Sequence, residues 1–251
     1  LNSNTMIKKK DATSKLTGIE LFLFPFEDCD SDSLKSIGSK VISQNSPMRQ
    51  GKSMERMRSY WAGRCAVAVA FKRLGVQGWV QPNVEFGYLE VVNEKGAVLP
   101  NLYLNLSHTE SIVALALAPY PVGVDIELAD RDASRVITRV ANSKEREVAG
   151  DGVFASNGKL INPDIALWSA KEAAAKAVGL GMKFGLNCFE VRFVKNDTTR
   201  VESTKPGPLT LNSPTIVIES FDPYIISVCS ESEIMPSGRI SRSLISSFDI
   251  G

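Results

Sequence analysis

Two acidic residues alternate with apolar ones in the segment 123–128, which has the sequence Gly-Val-Asp-Ile-Glu-Leu. The segment follows an apolar run at residues 111–118, and together they predict buried strands. Side chains two positions apart on a strand point to the same face, so we expect Asp125 and Glu127 to lie side by side. Two carboxylates this close repel each other unless a cation or a shared proton lies between them. The fold therefore has to place a cation or a shared proton at this pair of acids.

A predicted helix over residues 164–178 carries a second group of charged side chains. Lys176 follows Glu172 by four residues and lies on the same helix face. An acid pair on a strand, with an acid and a lysine from a helix, suits an oxygen-liganded metal such as Mg²⁺ that also holds a phosphate. Each motif alone has a simpler interpretation, namely capping charges on an exposed edge strand and a solvated ion pair on a helix.

Taken together, the motifs resemble the 4'-phosphopantetheinyl transferase superfamily, in its long, surfactin-synthetase-activating type. The matching segments, in order, are Arg56 to Arg64 ending in Trp-Ala-Gly-Arg, Asn105-Leu106-Ser107-His108, Gly-Val-Asp-Ile-Glu, Trp-Ser-Ala-Lys-Glu-Ala at 168–173 with Lys176, and Gly179-Leu180-Gly181 before Phe189. The resemblance spans roughly residues 50–195. The joint order is far more specific than any single segment.

The resemblance implies an α+β fold with two similar α/β subdomains, related by pseudo-twofold symmetry, and an active site at their interface. The sequence pattern predicts a helix over 53–74 that ends at Gly75, a strand that starts at Val84, a strand over 102–106, and a short helix opened by a capping box at 142–145. The order of the predicted elements agrees with two α+β halves that meet near residues 120–121. We expect a subdomain at 17–120 that binds coenzyme A phosphates and a subdomain at 121–235 with the metal and catalytic residues. The segment 1–16 is expected to be disordered, and the Ser-rich tail 236–251 is expected to have little order.

The family's reaction moves the 4'-phosphopantetheine group from coenzyme A to a serine of an acyl or peptidyl carrier protein. It depends on Mg²⁺ and releases adenosine 3',5'-bisphosphate. The resemblance implies that Asp125, Glu127 and Glu172 bind the metal. The implied catalytic residues are Glu172, Lys176 and Asp125, with Glu172 favoured as the base for the serine proton.

The coenzyme A-binding residues implied by the resemblance are Arg56, Arg64, Ser107, His108, Asp125 and Lys176. His108 is the only histidine. A lone histidine after an apolar strand is more often structural than catalytic, but the Asn-Leu-Ser-His context favours a phosphate-binding donor. Arg56 and Arg64 are about 12 Å apart along the helix axis and within about 80° of the same side, so one end of an elongated ligand could contact both.

Lys171 leaves two roles open. It precedes Glu172 and projects about 100° away from it. A structural role and a supporting role behind the metal site are equally compatible with this position. Trp168, Ala173 and Ala177 are expected to pack in the core.

Composition narrows the function classes. A net charge of +1 gives no general argument for nucleic acid or membrane, although seven basic residues against one acid at 49–73 make nucleic-acid binding a secondary hypothesis. The apolar stretches are too short to cross a bilayer. Four separated cysteines argue against zinc or disulfides and fit a reducing cytosol.

We therefore expect a cytoplasmic monomer without nucleic-acid or membrane partners. The alternative functions are a metal-dependent nucleotide phosphohydrolase and a non-catalytic coenzyme A-binding protein.

Overall fold

The computed structural model describes residues 16–44, 53–150, 152–180, 185–194, 198–203, 207–211, 213–231, 240–246 and 249. Of the segment expected to be disordered, only Leu16 lies within these residues, so that expectation stays a prediction. The second glycine of the pair, Gly181, also lies outside them. None of the helices within the described ranges is both long and apolar enough to cross a membrane.

The described residues form helices packed on two main sheets and a small hairpin, which confirms the α+β class. The helices are α1 (Ser31–Gly38), α2 (Met54–Leu74), α3 (Ser134–Val140), α4 (Ser143–Gly150) and α5 (Pro163–Ala177). The strands are β1 (Ile19–Pro25), β2 (Trp79–Pro82), β3 (Leu89–Val92), β4 (Val98–His108), β5 (Ile112–Ala118), β6 (Gly123–Leu128), β7 (Val153–Phe154), β8 (Leu160–Ile161), β9 (Phe189–Val194), β10 (Thr198–Ser203), β11 (Pro214–Phe221), β12 (Tyr224–Glu231) and β13 (Ile240–Leu244). The pseudo-twofold relation between the halves remains a prediction.

The N-terminal sheet has the strand order β13-β1-β5-β4-β3-β2 and packs against α2. The predicted helix at 53–74 is confirmed. Ser53 caps its first turn by accepting from the Arg56 N–H, and Gly75 ends it with a left-handed φ of 69°. Trp61, Cys65 and Val69 are buried along the face toward the sheet. Arg56 and Arg73, near the two ends of α2, are exposed, whereas Arg58 and Arg64 are half-buried.

The C-terminal sheet has the order β6-β12-β11-β10-β9, and α5 lies across β6 and β12. At Gly123 the helix comes so close that a built Cβ would lie 2.0 Å from the Ala173 carbonyl oxygen and 2.5 Å from the Ala177 nitrogen. Only a residue without a side chain permits this approach. The close contact places Asp125, two residues further along the strand, beneath the charged face of α5.

The structure corrects the expected tail. Residues Ile240–Leu244 form β13, which pairs in parallel with β1. The next residue, Ile245, is fully buried in the N-terminal core and its N–H donates to the Leu23 carbonyl. The Ser-rich composition gives no local signal of a strand, because the strand forms by pairing with a segment more than 200 residues away in sequence. The added strand covers an edge of β1 that would otherwise expose its backbone groups.

Other differences concern short or neighbouring elements. The strand predicted to start at Val84 starts at Leu89, because Asn83 accepts from the N–H groups of Glu85 and Phe86 and holds a turn there. The strand expected at 102–106 is part of the longer β4. The short elements α3, β2, β7, β8 and β10 had no counterpart in the sequence prediction.

We predict that Gly123→Ala destabilises the protein by about 3 kcal/mol, because the added methyl group meets the backbone of α5 and forces helix and strand apart. Chemical unfolding measures the change. Gly150→Ala is the matched control, since nothing lies within 4 Å of a Cβ built there. Equal stabilities of the two variants would contradict the close approach of α5 to β6.

Candidate active site

Ser107, Asp125 and Lys176 meet at the junction of the two halves. The Ser107 hydroxyl donates to Asp125 Oδ1 at 2.8 Å, and Lys176 Nζ donates to the same oxygen at 2.7 Å. Lys176 Nζ also lies 3.0 Å from Ser107 Oγ. These side chains come from β4, β6 and α5 respectively. The positive charge that the acidic strand required is therefore supplied by α5.

Strand β4 ends beside β6, which explains how Ser107 reaches the C-terminal half. The side-chain oxygen of Asn105 accepts from the Val124 N–H at 3.0 Å, two residues before Ser107 and one before Asp125. Asn105 thus aligns the motif Asn-Leu-Ser-His with the motif Gly-Val-Asp-Ile-Glu. Side chains two apart on β4 share a face, so Ser107 points toward the same strand.

Glu172 is buried near this cluster, with Lys176 Nζ 3.8 Å from its Oε2. Burial raises the pKa of Glu172 to about 7. Lys176 and Arg131 oppose this rise in the pKa, whereas the carboxylates of Asp125 and Glu127 contribute to it. Glu172 therefore changes protonation near neutral pH, which is the range in which a carboxylate can both accept and release a proton.

Glu127 lies on the same strand face as Asp125 but has different partners. Its Oε1 accepts from the Trp168 indole N–H at 2.7 Å, and its Oε2 is paired with Arg131. The Arg131 guanidinium also lies 5.7 Å from the centre of the Trp168 ring. Glu127 is therefore held by α5 and by the loop after β6 rather than by Lys176.

A cavity of about 370 Å³ opens beside the cluster, against α2. Arg56, Arg64, Ser107 and His108 line it together, as the sequence grouped them. Tyr60 and Gly63 from the same helix line it too, and the Arg64 guanidinium lies 4.7 Å from the centre of the Tyr60 ring. The cavity combines cationic and aromatic groups and leads to Ser107, which contacts Asp125 and Lys176.

Comparison with known proteins bears on the half of the chain that holds the acids. Residues 121–229 match the model of the 4'-phosphopantetheinyl transferase superfamily. These residues belong to that superfamily. A relative from Aneurinibacillus migulanus, named 4'-phosphopantetheinyl transferase gsp, is 30% identical over 132 residues. The aligned part is 52% of this chain and 52% of the relative, so the match spans about half the length of either protein. The superfamily predicted from the motifs is confirmed for residues 121–229.

The superfamily resemblance implies a magnesium ion, and the donor set can be tested for it. Asp125 Oδ2 is buried and has no hydrogen-bond partner in the described part of the chain. Glu172 offers a second buried carboxylate whose ionisation a cation would favour. Oxygen donors of this kind suit Mg²⁺, so Asp125 and Glu172 fit the ion.

Glu127 departs from the expected set of three carboxylates, because Trp168 and Arg131 already contact both of its oxygens. Within the ranges that the structure describes, no three His, Cys, Asp or Glu side chains are grouped as a preformed metal site. The metal-binding role of Glu127 remains a prediction, and so do the individual roles of the other site residues.

Sequence reasoning missed Arg131, Tyr60 and the polar contact of Trp168. Arg131 follows Glu127 by four residues and could have been noted as a candidate ion pair. Tyr60 precedes Arg64 by one helical turn, which is the spacing of a side-chain contact on one helix face. Trp168 is mostly buried, as expected, but its indole N–H reaches Glu127.

We predict a pH-dependent stability contribution from Glu172 in the metal-free protein. The pKa of Glu172 is raised from its ordinary 4.5 to about 7 on folding, so the contribution is present below pH 4.5 and is lost as the pH rises through 7. By linkage, wild-type unfolding free energy should fall by roughly 2–3 kcal/mol relative to Glu172→Gln between pH 5 and 8. Urea unfolding in chelator at both pH values measures this.

The matched control is Glu147→Gln, which changes an exposed carboxylate on α4. If wild type and Glu172→Gln lose stability in parallel across this range, the raised pKa of Glu172 is contradicted.

Proposed function

We propose that the chain transfers 4'-phosphopantetheine from coenzyme A to a serine of an acyl or peptidyl carrier protein, with Mg²⁺, and releases adenosine 3',5'-bisphosphate. One observation carries the proposal. Ser107 lines the cavity of Arg56, Arg64 and His108 and also contacts Asp125 and Lys176. A cationic cavity for a phosphorylated ligand thus opens directly onto the acid–lysine centre, which comprises Asp125, Glu172 and Lys176.

The ligand chemistry agrees with this arrangement. Coenzyme A carries a 3'-phosphate and a pyrophosphate, and arginine and histidine are suitable donors to both. Arg56 and His108 are exposed at the cavity and can meet an incoming ligand. Lys176 Nζ, at the buried end, would then stand beside the pyrophosphate as a point charge. The relative from Aneurinibacillus migulanus is named for the same transfer, which supports the proposal.

The reaction is a displacement at the phosphorus that carries the pantetheine group. The carrier serine oxygen forms a bond to this phosphorus, and the bond to the bridging oxygen breaks. The electron pair leaves with adenosine 3',5'-bisphosphate. Such transfers depend on positioning and charge neutralisation more than on covalent help from the enzyme, and a bound Mg²⁺ supplies part of that neutralisation.

The residues of the centre would divide this work. Lys176 is oriented by Asp125 and Ser107 and places its ammonium group toward the negative charge on the phosphates. Glu172, a buried carboxylate beside Lys176, would accept the proton of the serine hydroxyl, and a bound cation would hold it in the charged form that this requires. Asp125 and Glu172 would hold the metal at the same place.

The cellular setting follows from the same proposal. The cavity and the acid–lysine centre are both built from one copy of the chain, so a monomer suffices. All four cysteines are buried thiols, which fits a reducing cytoplasm. The partners are coenzyme A and the carrier protein, and nothing in the centre calls for nucleic acid or a membrane.

We predict that the protein raises the intact mass of an apo acyl carrier protein by one phosphopantetheine group when coenzyme A and Mg²⁺ are present. Asp125→Asn should abolish the mass gain, because it removes the charge that orients Lys176 and faces the metal. Chelation of Mg²⁺ should do the same. Circular dichroism of the variant checks that its fold is retained.

Two other outcomes would contradict the transfer. Cleavage of coenzyme A without any mass gain on a panel of acyl and peptidyl carriers would indicate a phosphohydrolase. Binding of coenzyme A with neither cleavage nor transfer would indicate a non-catalytic coenzyme A-binding protein.

We also predict that His108→Ala weakens coenzyme A binding by about tenfold, the loss of a charge-assisted hydrogen bond to phosphate. Calorimetric titration with coenzyme A and with dephospho-coenzyme A locates the contact. A larger loss for coenzyme A assigns His108 to the 3'-phosphate, and equal losses assign it to the pyrophosphate. Unchanged affinity for both ligands would show that His108 binds neither phosphate. Thr109→Ala, at the next position, is the control.

A further inference from the structure

Lys171 lies in the same helix motif as Glu172, yet it points away from the acid–lysine centre into the core behind it. Its side chain is almost wholly buried, and its Nζ lies 2.6 Å from Glu145 Oε1, which is also buried. The ammonium group also donates to the Phe189 carbonyl. A charged pair is thus enclosed between α5, α4 and β9.

Both carboxylate oxygens of Glu145 and its backbone N–H are hydrogen-bonded. Its Oε1 accepts from the Val191 N–H at 2.8 Å, and its Oε2 accepts from the Asn142 N–H at 2.8 Å. In return, its own N–H donates to Asn142 Oδ1 at 2.9 Å, which completes the capping box of α4. Lys171 therefore binds to an anchor whose position is set by a helix start and a strand.

Helix α5 needs such an anchor because it is buried nearly all around. Six of its twelve buried residues are alanines, and after Trp168 no buried residue of the helix has a large apolar side chain. Small, similar side chains do little to specify the rotation of this part of the helix about its axis. A directional charged pair can specify it, much as buried polar groups fix the register of packed helices.

Rotation of α5 matters at the centre because Glu172 follows Lys171 directly. Adjacent residues project about 100° apart, so fixing one side chain fixes the direction of the other. At a side-chain radius of 5–6 Å, a 20° rotation moves a carboxylate by about 2 Å. Lys176 would move with Glu172, away from Asp125.

We propose that Lys171 is a positioning residue. Its buried ion pair with Glu145 sets the rotation of α5 and so holds Glu172 and Lys176 against Asp125. The effect on rate rests on the proposed transfer reaction, whereas the placement of α5 does not. The two can therefore be tested separately.

The placement is measured with Trp168, which lies on α5 three residues before Lys171 and donates its indole N–H to Glu127 at 2.7 Å. In ¹⁵N-labelled protein, its indole resonance is assigned among the three tryptophans by its loss in Trp168→Phe. Glu145→Gln keeps the size and a capping oxygen but removes the charge. We expect the Trp168 resonance of this variant to move toward that of an indole without a carboxylate partner.

Val228→Ala is the matched control, because it opens a cavity at a buried position of β12, in the same sheet but in an apolar cluster with residues of β1, β5 and β6 rather than with α5. It should lose stability and leave the Trp168 resonance in place. If Glu145→Gln also leaves that resonance in place, the proposal is wrong, whatever reaction the protein catalyses.

The rate is measured in the transfer assay. Glu145→Gln should lower kcat by at least about tenfold, since a displacement of an ångström or more at a reacting centre has effects of this size. KM for coenzyme A should change less than kcat, because Arg56, Arg64 and His108 lie on other elements and Lys176 alone of the proposed phosphate contacts moves with α5. A change confined to KM would overturn the proposal.

The double variant Lys171→Met/Glu145→Gln separates positioning from folding. It removes both charges, so no unpaired charge remains buried and stability should recover toward wild type. The resonance of Trp168 and kcat should remain altered. Recovery of all three would show that apolar packing alone sets the rotation, and the ion pair would have no positioning role. A shifted resonance in a protein without transfer activity would support the placement and refute only the proposed function.

Discussion

The interaction on which the rest of the structure depends is the contact of the Lys176 ammonium with Asp125 and Ser107. Asp125 is 3% exposed, and a carboxylate at this depth is stable in its charged form only with a cation and hydrogen-bond donors beside it. Lys176 supplies the charge and Ser107 a donor, each from a different element. Asp125 and Lys176 belong to the C-terminal half, and Ser107 is the donor that the N-terminal half adds, so this contact joins the two halves at Asp125.

Several features of the surrounding backbone serve this contact. Gly123 lets α5 approach β6 closely enough for a lysine on the helix to reach the strand. Asn105 aligns β4 beside β6 so that Ser107 arrives at Asp125. On the far side of α5, Lys171 and Glu145 hold the helix in one rotation. Because α5 has a charged contact on each side, it has little freedom to rotate or shift relative to Asp125 or Glu145.

The parts that sequence reasoning predicted correctly are those with local signals. Ser53 and Gly75 mark the ends of α2, and the spacing of Asn142 and Glu145 marks the start of α4. The four-residue spacing of Glu172 and Lys176 on one helix face also follows from sequence alone.

The features that sequence reasoning could not predict depend on residues far apart in the chain. The strand β13 has a Ser-rich sequence that indicates disorder, and only pairing with β1 makes it a strand. The partners of Glu127 are another case, because Trp168 is 41 residues away and looks like a packing residue. The burial that raises the pKa of Glu172 is also a property of the assembled core. Sequence therefore predicts which charged residues lie together, whereas the contacts that each of them makes depend on the packing.

This difference in contacts is clearest for the two acids of β6. Asp125 and Glu127 are equivalent by sequence, on one face of one strand, yet the structure gives them different partners. Asp125 faces Lys176 and keeps a second oxygen without a partner among the described residues. Glu127 is held at both oxygens, by an indole on α5 and by Arg131. A carboxylate with an unpartnered oxygen can take a metal or a ligand contact at little cost, whereas one with both oxygens engaged must first lose a contact. We therefore place the proposed chemistry at Asp125 and Glu172, whereas the observed contacts of Glu127 link β6 to Trp168 of α5 and to Arg131.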